Sequence, residues 1–284
     1  MTAPLEAAGD VRTWTCESHG EVYGELPGAV SMIWRCPTCE AEAMRQERAF
    51  LAERRRYAWW RNDSGIPARY RSATPAHVQP LSPGAKTLAS AAARYSQTLS
   101  ERLDAGEGLV LLGPPGLGKT LALAAIVNAA CREFRGPVYA VWPDVLAEVK
   151  AGFGGSRDDP RREAAERLRD APLLALDELG VKGASDFDHA ELFGLVDYRY
   201  RETLPTLVAA NATPNNFAAL VGERIADRLL ESGPLIVLSG DSQRGKVALD
   251  GPDAMPPPPS EITVRTHGHG RWSERRIHAP DGRP

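Results

Sequence analysis

The sequence predicts an α/β protein: a parallel sheet flanked by helices, preceded by a small cysteine-bearing module and a helix. Three observations carry this. Five short apolar runs, at 108–113 (GLVLLG), 137–142 (PVYAVW), 173–177 (LLALD), 205–210 (PTLVAA) and 234–239 (PLIVLS), are separated by helical stretches such as 119–134 and 187–203. A glycine-rich segment ending in Lys-Thr lies between the first run and the first of these helices. Near the N-terminus, Cys16 with His19 and Cys36 with Cys39 form two closely spaced pairs.

The apolar runs lack polar alternation, as expected for strands covered on both faces. In the helix at 119–134, Leu123, Val127 and Cys131 share one face. Residues 41–62 contain no Gly or Pro and are dense in Ala, Glu and Arg, which predicts a helix with a narrow apolar stripe through Met44, Leu51 and Ala58 and through Phe50 and Tyr57. Four segments follow: an N-terminal metal module and helix at 1–62, a linker at 63–85 punctuated by Gly65, Pro67, Pro75, Pro80 and Pro83, a core domain at 86–250, and a tail at 251–284. The tail holds four consecutive prolines at 256–259 and reads as disordered.

The 284 residues are 43% hydrophobic, enough for one sizeable core and a small appendage. A net charge of −3 argues against a general basic coat, so nucleic-acid contact must come from local patches. No apolar run approaches the ~18 residues of a membrane span. Residues Met1 to Asp10 lack a signal-peptide pattern. With only four cysteines, three of them in metal-ligand spacing, the chain reads as a cytoplasmic protein with no membrane association.

Gly113-Pro114-Pro115-Gly116-Leu117-Gly118-Lys119-Thr120 matches G-x-x-x-x-G-K-[ST] in full, after a strand and before a helix. The glycines let backbone N–H groups close on phosphate oxygens, and the helix N-terminus adds partial positive charge. Lys119 is expected to reach the β- and γ-phosphates of ATP, and Thr120 to bind Mg²⁺. The run 173–177 ends in Asp177-Glu178. Paired carboxylates at the end of a buried strand need a cation, which assigns Asp177 to Mg²⁺ and Glu178 to the role of water-activating base. The next strand delivers Asn211 to the same sheet edge, where it either orients the attacking water or caps the following helix.

The pairs Cys16-x₂-His19 and Cys36-x₂-Cys39, sixteen residues apart, match a closed tetrahedral Zn²⁺ site. The first 40 residues have few apolar side chains, and a metal would supply folding energy there.

Together these motifs resemble the DnaC/IstB-type AAA+ ATPases, the bacterial and phage replicative-helicase loaders. Gly65-Ile66-Pro67-Ala68-Arg69-Tyr70 resembles the linker signature of that family, and Leu176-Asp177-Glu178-Leu179-Gly180 its Walker B strand. Gly222 to Leu229 (GERIADRL) resembles its arginine-finger segment, and Asp241-Ser242-Gln243-Arg244 its last sensor motif. The resemblance implies an AAA+ core without a separate helical lid. It makes Arg228 a finger reaching a neighbouring subunit's nucleotide, and Arg244 a second sensor. An alternative for Arg228 is a surface arginine paired with Glu223 or Asp227. The resemblance also implies self-association, a hexameric replicative helicase as partner, and a single-stranded DNA path lined by Lys150, Phe153 and Phe187. Packing is the competing role for the two phenylalanines, and also for a basic-aromatic patch at Arg54 to Arg56, Tyr57, Trp59 and Trp60. Three other functions stay open on sequence: a transposition-helper ATPase of the same fold, a zinc-containing adaptor with a structural nucleotide, and a small-molecule P-loop kinase. The finger-like Arg228 and the sensor-like Asn211 and Arg244 weigh against the kinase.

Overall fold

The computed structural model describes residues 12–20, 22–25, 35–79, 83–134, 136–151, 160–180, 185–245, 248–249 and 251–278. The chain forms two compact units, one comprising Arg56–Pro256 and the other comprising Met1–Arg55 together with Pro257–Pro284.

In chain order the elements are β1 (Arg12–Thr15), β2 (Val22–Glu25), α1 (Pro37–Asn62), α2 (Pro83–Gln97), α3 (Leu99–Asp104), β3 (Leu109–Leu112), α4 (Lys119–Glu133), β4 (Val138–Val141), α5 (Trp142–Ala151), α6 (Pro160–Asp170), β5 (Leu174–Asp177), α7 (Asp186–Arg201), β6 (Thr206–Ala210), α8 (Pro214–Val221), α9 (Glu223–Glu231), β7 (Leu235–Val237), β8 (Glu261–Gly268) and β9 (Arg271–His278).

In the larger unit, the five apolar runs become a five-stranded sheet in the order β4-β5-β6-β3-β7. All its pairings are parallel. The strands β3, β5 and β6 are buried at every residue, as unalternating apolar sequence requires. The helix α4 is apolar nearly all round, and its residues 121–128 are buried in the central core. On the other face of the sheet, α7 starts from a capping box in which Ser185 accepts from the Asp188 N–H and the Asp188 carboxylate accepts from the Ser185 N–H. Among the described residues beyond Val237 there is no helix.

The linker is bound into this unit. Asn128 on α4 is 1% exposed; its amide donates to the carbonyls of Tyr70 and Ala73 and accepts from the Trp60 indole. Trp59 donates to the Pro137 carbonyl. Packing, not an exposed patch, is therefore what Trp59 and Trp60 do, and the larger unit takes in the last turns of α1. Of the expected apolar stripe on α1, Phe50 is buried and Leu51 and Tyr57 pack against the cores, but Met44 is exposed and the buried residue at that end is Ala43.

The smaller unit corrects the expectation of a disordered tail. Residues 261–278 form an antiparallel hairpin, β8–β9, in full register from Glu261–His278 to Gly268–Arg271. Its two-residue turn, His269 and Gly270, has φ of 51° and 72°, the left-handed pair that matches strand twist in a tight hairpin. Val264 and Ile277 bury against Ala43 and Phe50 of α1, and the Cys36 N–H donates to the His267 carbonyl. The prolines at 256–259 precede the hairpin and do not extend into it. The smaller unit is thus built from both ends of the sequence.

Candidate nucleotide site and metal centre

The C-terminal ends of β3, β5 and β6 converge on one pocket, lined by Pro115, Gly116, Gly118, Lys119, Thr120, Asp177, Glu178, Asn211 and Arg244, with Arg69 and Tyr70 of the linker and Leu249. Gly116 must be glycine: φ is 86°, and a Cβ there would stand 2.2 Å from Ser242 Oγ. The Gln243 N–H donates to the Gly116 carbonyl, which ties the sensor-like segment to the phosphate loop. Leu117 is buried beneath the loop.

Lys119 is 7% exposed, and its ammonium donates to the Gly113 and Pro114 carbonyls at 2.6 and 2.9 Å and to Asn211 Oδ1 at 2.9 Å. Burial pulls its pKa below the usual lysine range, opposed by the Asp177 charge. Asp177, 4% exposed, accepts the Tyr139 hydroxyl on Oδ2 at 2.6 Å and the Glu178 N–H on Oδ1 at 2.9 Å. Burial, then the adjacent Asp177 charge, pushes the Tyr139 phenol far above its ordinary range, so it remains a donor. Glu178 has φ of 56°, an uncommon conformation for a non-glycine residue and one that recurs at functional sites.

Asp177 makes no ion pair among the described residues. A buried carboxylate left so is costly, and a divalent cation at its open lone pairs is the fitting complement. Together with the Thr120 hydroxyl, the donor set suits Mg²⁺, which would neutralise charge on phosphate oxygens. Around it, Lys119 can hold phosphate oxygens, Glu178 can accept the proton of a water, and Asn211 can orient that water.

Arg228 does not line this pocket. Its guanidinium lies 2.6 Å from Asp197 on α7, donates to the Arg224 carbonyl, and stands 5.1 and 5.7 Å from the Phe193 and Tyr200 ring centres. The partner expected from helical spacing, Glu223 or Asp227, is thus replaced by a carboxylate from the adjacent helix. Lys150 pairs with Asp188 at 2.6 Å, and this bond holds the Asp188 carboxyl below its usual range. Phe187 is half-buried beside Asp188, and Phe153 lies outside the described residues.

The ligand atoms of Cys16, His19, Cys36 and Cys39 all lie within 4.8 Å of one another. Cys16 Sγ is 3.6 Å from Cys39 Sγ, and His19 Nδ1 is 3.6, 3.6 and 3.4 Å from the sulfurs of Cys16, Cys36 and Cys39. Tetrahedral Zn²⁺, with Zn–S about 2.3 Å and Zn–N about 2.0 Å, requires ligand spacings of about 3.5–3.8 Å. The cluster fits a metal ion. His19 Nε2 lies 3.3 Å from Glu42 on α1, a carboxylate that fixes the ring with Nδ1 toward the cluster. Glu42 and Tyr139 were not evident from sequence. Each lies outside the spacing of its motif and contacts one of its members, His19 and Asp177 respectively.

Residues 87–250 match the model of the IstB-like ATP binding protein family. The chain belongs to that family. Among relatives of this IstB-like protein, a protein of an insertion sequence in Mycobacterium tuberculosis is 31% identical over 175 residues, covering 59% of this chain and 64% of that protein. The replicative helicase loader DnaC of Escherichia coli K12 is 24% identical over 209 residues, covering 73% of this chain and 79% of that protein. Among solved structures, the DnaC helicase loader aligns with a TM-score of 0.55 at 21% identity, over 61% of this chain and all of that one. The initiator DnaA bound to AMPPCP and single-stranded DNA aligns with a TM-score of 0.51 at 18% identity, over 62% of this chain and 51% of that one. These likenesses establish the AAA+ fold of the IstB-like core. No helix among the described residues is long and apolar enough to cross a membrane.

Proposed function

We propose that this chain is a cytoplasmic Mg²⁺-dependent ATPase that loads a hexameric replicative helicase onto single-stranded DNA. The observation that carries the reading is one pocket gathering Lys119, Thr120, Asp177, Glu178, Asn211 and Arg244 while leaving Arg228 outside it. One subunit then supplies phosphate grip, metal ligands and base. A neighbour supplies the arginine that neutralises transition-state charge, which is worth roughly 10³–10⁵ in rate for such fingers. Hydrolysis therefore needs self-association and couples to assembly. Support for helicase loading comes from the E. coli relative's name and the length over which it aligns. Lys150, which pairs with Asp188, and Phe187, the residue before Asp188 in the chain, are the candidate single-strand contacts, since a cation with an aromatic suits sequence-neutral binding. Zn²⁺ at Cys16, His19, Cys36 and Cys39 organises the smaller unit, which we assign to gripping the helicase.

A second reading, a transposition-helper ATPase, draws on the family model and on the insertion-sequence relative. Co-purification separates the two. The loader binds the host's replicative helicase in the presence of ATP and raises the amount of helicase on single-stranded DNA. If a transposase is captured and the helicase is not, the helper reading replaces it.

A further inference from the structure

Tyr139 lies outside every motif of the phosphate pocket, yet its hydroxyl meets the one buried carboxylate at the end of β5. Strands β4 and β5 are paired in register, with Tyr139 opposite Ala175 and Val141 opposite Asp177. From this place the Tyr139 side chain, 2% exposed, reaches Asp177 Oδ2 at 2.6 Å. The other carboxylate oxygen is held by the Glu178 N–H. Both oxygens are therefore fixed, and neither bond comes from a cation.

Tyr139 is itself anchored. Its N–H donates to the Ser64 carbonyl at 2.7 Å, and Gly65, with φ of 73°, lies so close that a Cβ there would stand 2.1 Å from the Tyr139 carbonyl oxygen. The linker before Ile66 thus runs hard against β4 at the residue that grips Asp177. Strand pairing and the linker together leave the phenol little freedom.

We propose that Tyr139 is a positioning residue for the nucleotide-bound metal, holding the Asp177 carboxylate in the rotamer that receives Mg²⁺. The inference rests on Asp177 being a metal-binding carboxylate. Outer hydrogen-bond partners of this kind fix ligand orientation, and their loss weakens metal affinity roughly 10–100-fold.

The test is metal-dependent binding of a fluorescent ATP analogue, and Mn²⁺ binding read by electron paramagnetic resonance, in wild type, Tyr139→Phe, Asp177→Asn and the double variant. Tyr139→Phe is expected to bind nucleotide normally in EDTA but to need about 10-fold more Mg²⁺ or Mn²⁺ for its metal-dependent gain. In the double variant the two losses should not add, because both act on one carboxylate. A Tyr139→Phe protein that titrates with metal like wild type, even with a lowered Tm, reduces Tyr139 to a packing residue and overturns the proposal while Asp177 keeps its role. If Asp177→Asn also titrates like wild type, the metal assignment itself fails and the proposal with it.

Discussion

Asp197 on α7 holds the Arg228 guanidinium of α9 at 2.6 Å, on a surface outside the chain's own phosphate pocket. The half-buried arginine is held by that carboxylate and by the Arg224 carbonyl, and it is flanked by Phe193 and Tyr200. On the proposed trans role, Arg228→Ala should bind ATP as wild type does, because that role is to meet transition-state charge on another subunit rather than to hold the chain's own nucleotide. Its ATPase rate should fall roughly 10³-fold or more. Mixing Arg228→Ala with Lys119→Ala should restore part of the activity, since one supplies an intact loop and the other an intact arginine. A mixture that co-assembles and stays inactive removes the trans role.

On the proposed reading, the smaller unit depends on a metal at Cys16, His19, Cys36 and Cys39 and on the β8–β9 hairpin. Elemental analysis of protein purified without chelator should find one Zn²⁺ per chain. Cys36→Ser, or truncation after Pro256, should abolish the ordered signal of this unit. ATP binding by the larger unit should persist, because its core is separate. Retention of zinc by the truncated chain would show that the hairpin is dispensable to the cluster.

Asn128 bonds the last turn of α1 and the linker to the central helix. Replacing it with Ala leaves the buried Trp60 N–H without its acceptor and takes the amide donor from the Ala73 carbonyl, while the Tyr70 carbonyl keeps the Ala73 N–H. A loss of about 2–4 kcal/mol is expected from denaturant unfolding, with the m-value unchanged. A change below ~0.5 kcal/mol would mean that water replaces the amide.

The sheet was legible because each strand is an unbroken apolar run, and the phosphate loop because its residues are contiguous. The start of α4 follows from Gly118, whereas α7 starts from a Ser185 capping box that the expected helix at 187–203 did not include. The hairpin at 261–278 was hidden because its burial is supplied from 200 residues away: only Val264 and Ile277 among its large apolar residues are buried, both against α1, and β9 is otherwise exposed and arginine-rich. The His269-Gly270 turn lacks the Asn-Gly signal by which such hairpins are usually read. The partner of Arg228 was missed for a related reason, since helical spacing names neighbours on α9 whereas Asp197 comes from α7.

ATP hydrolysis is assigned to the pocket at Lys119, Asp177 and Glu178. The most direct measurement is steady-state ATP hydrolysis, with and without single-stranded DNA, alongside equilibrium ATP binding, for wild type, Lys119→Ala and Glu178→Gln. Wild type should turn over, Lys119→Ala should lose both binding and turnover, and Glu178→Gln should bind ATP without turnover, because an amide cannot take the proton from water. Wild-type turnover by Glu178→Gln, or normal ATP affinity in Lys119→Ala, would contradict that assignment.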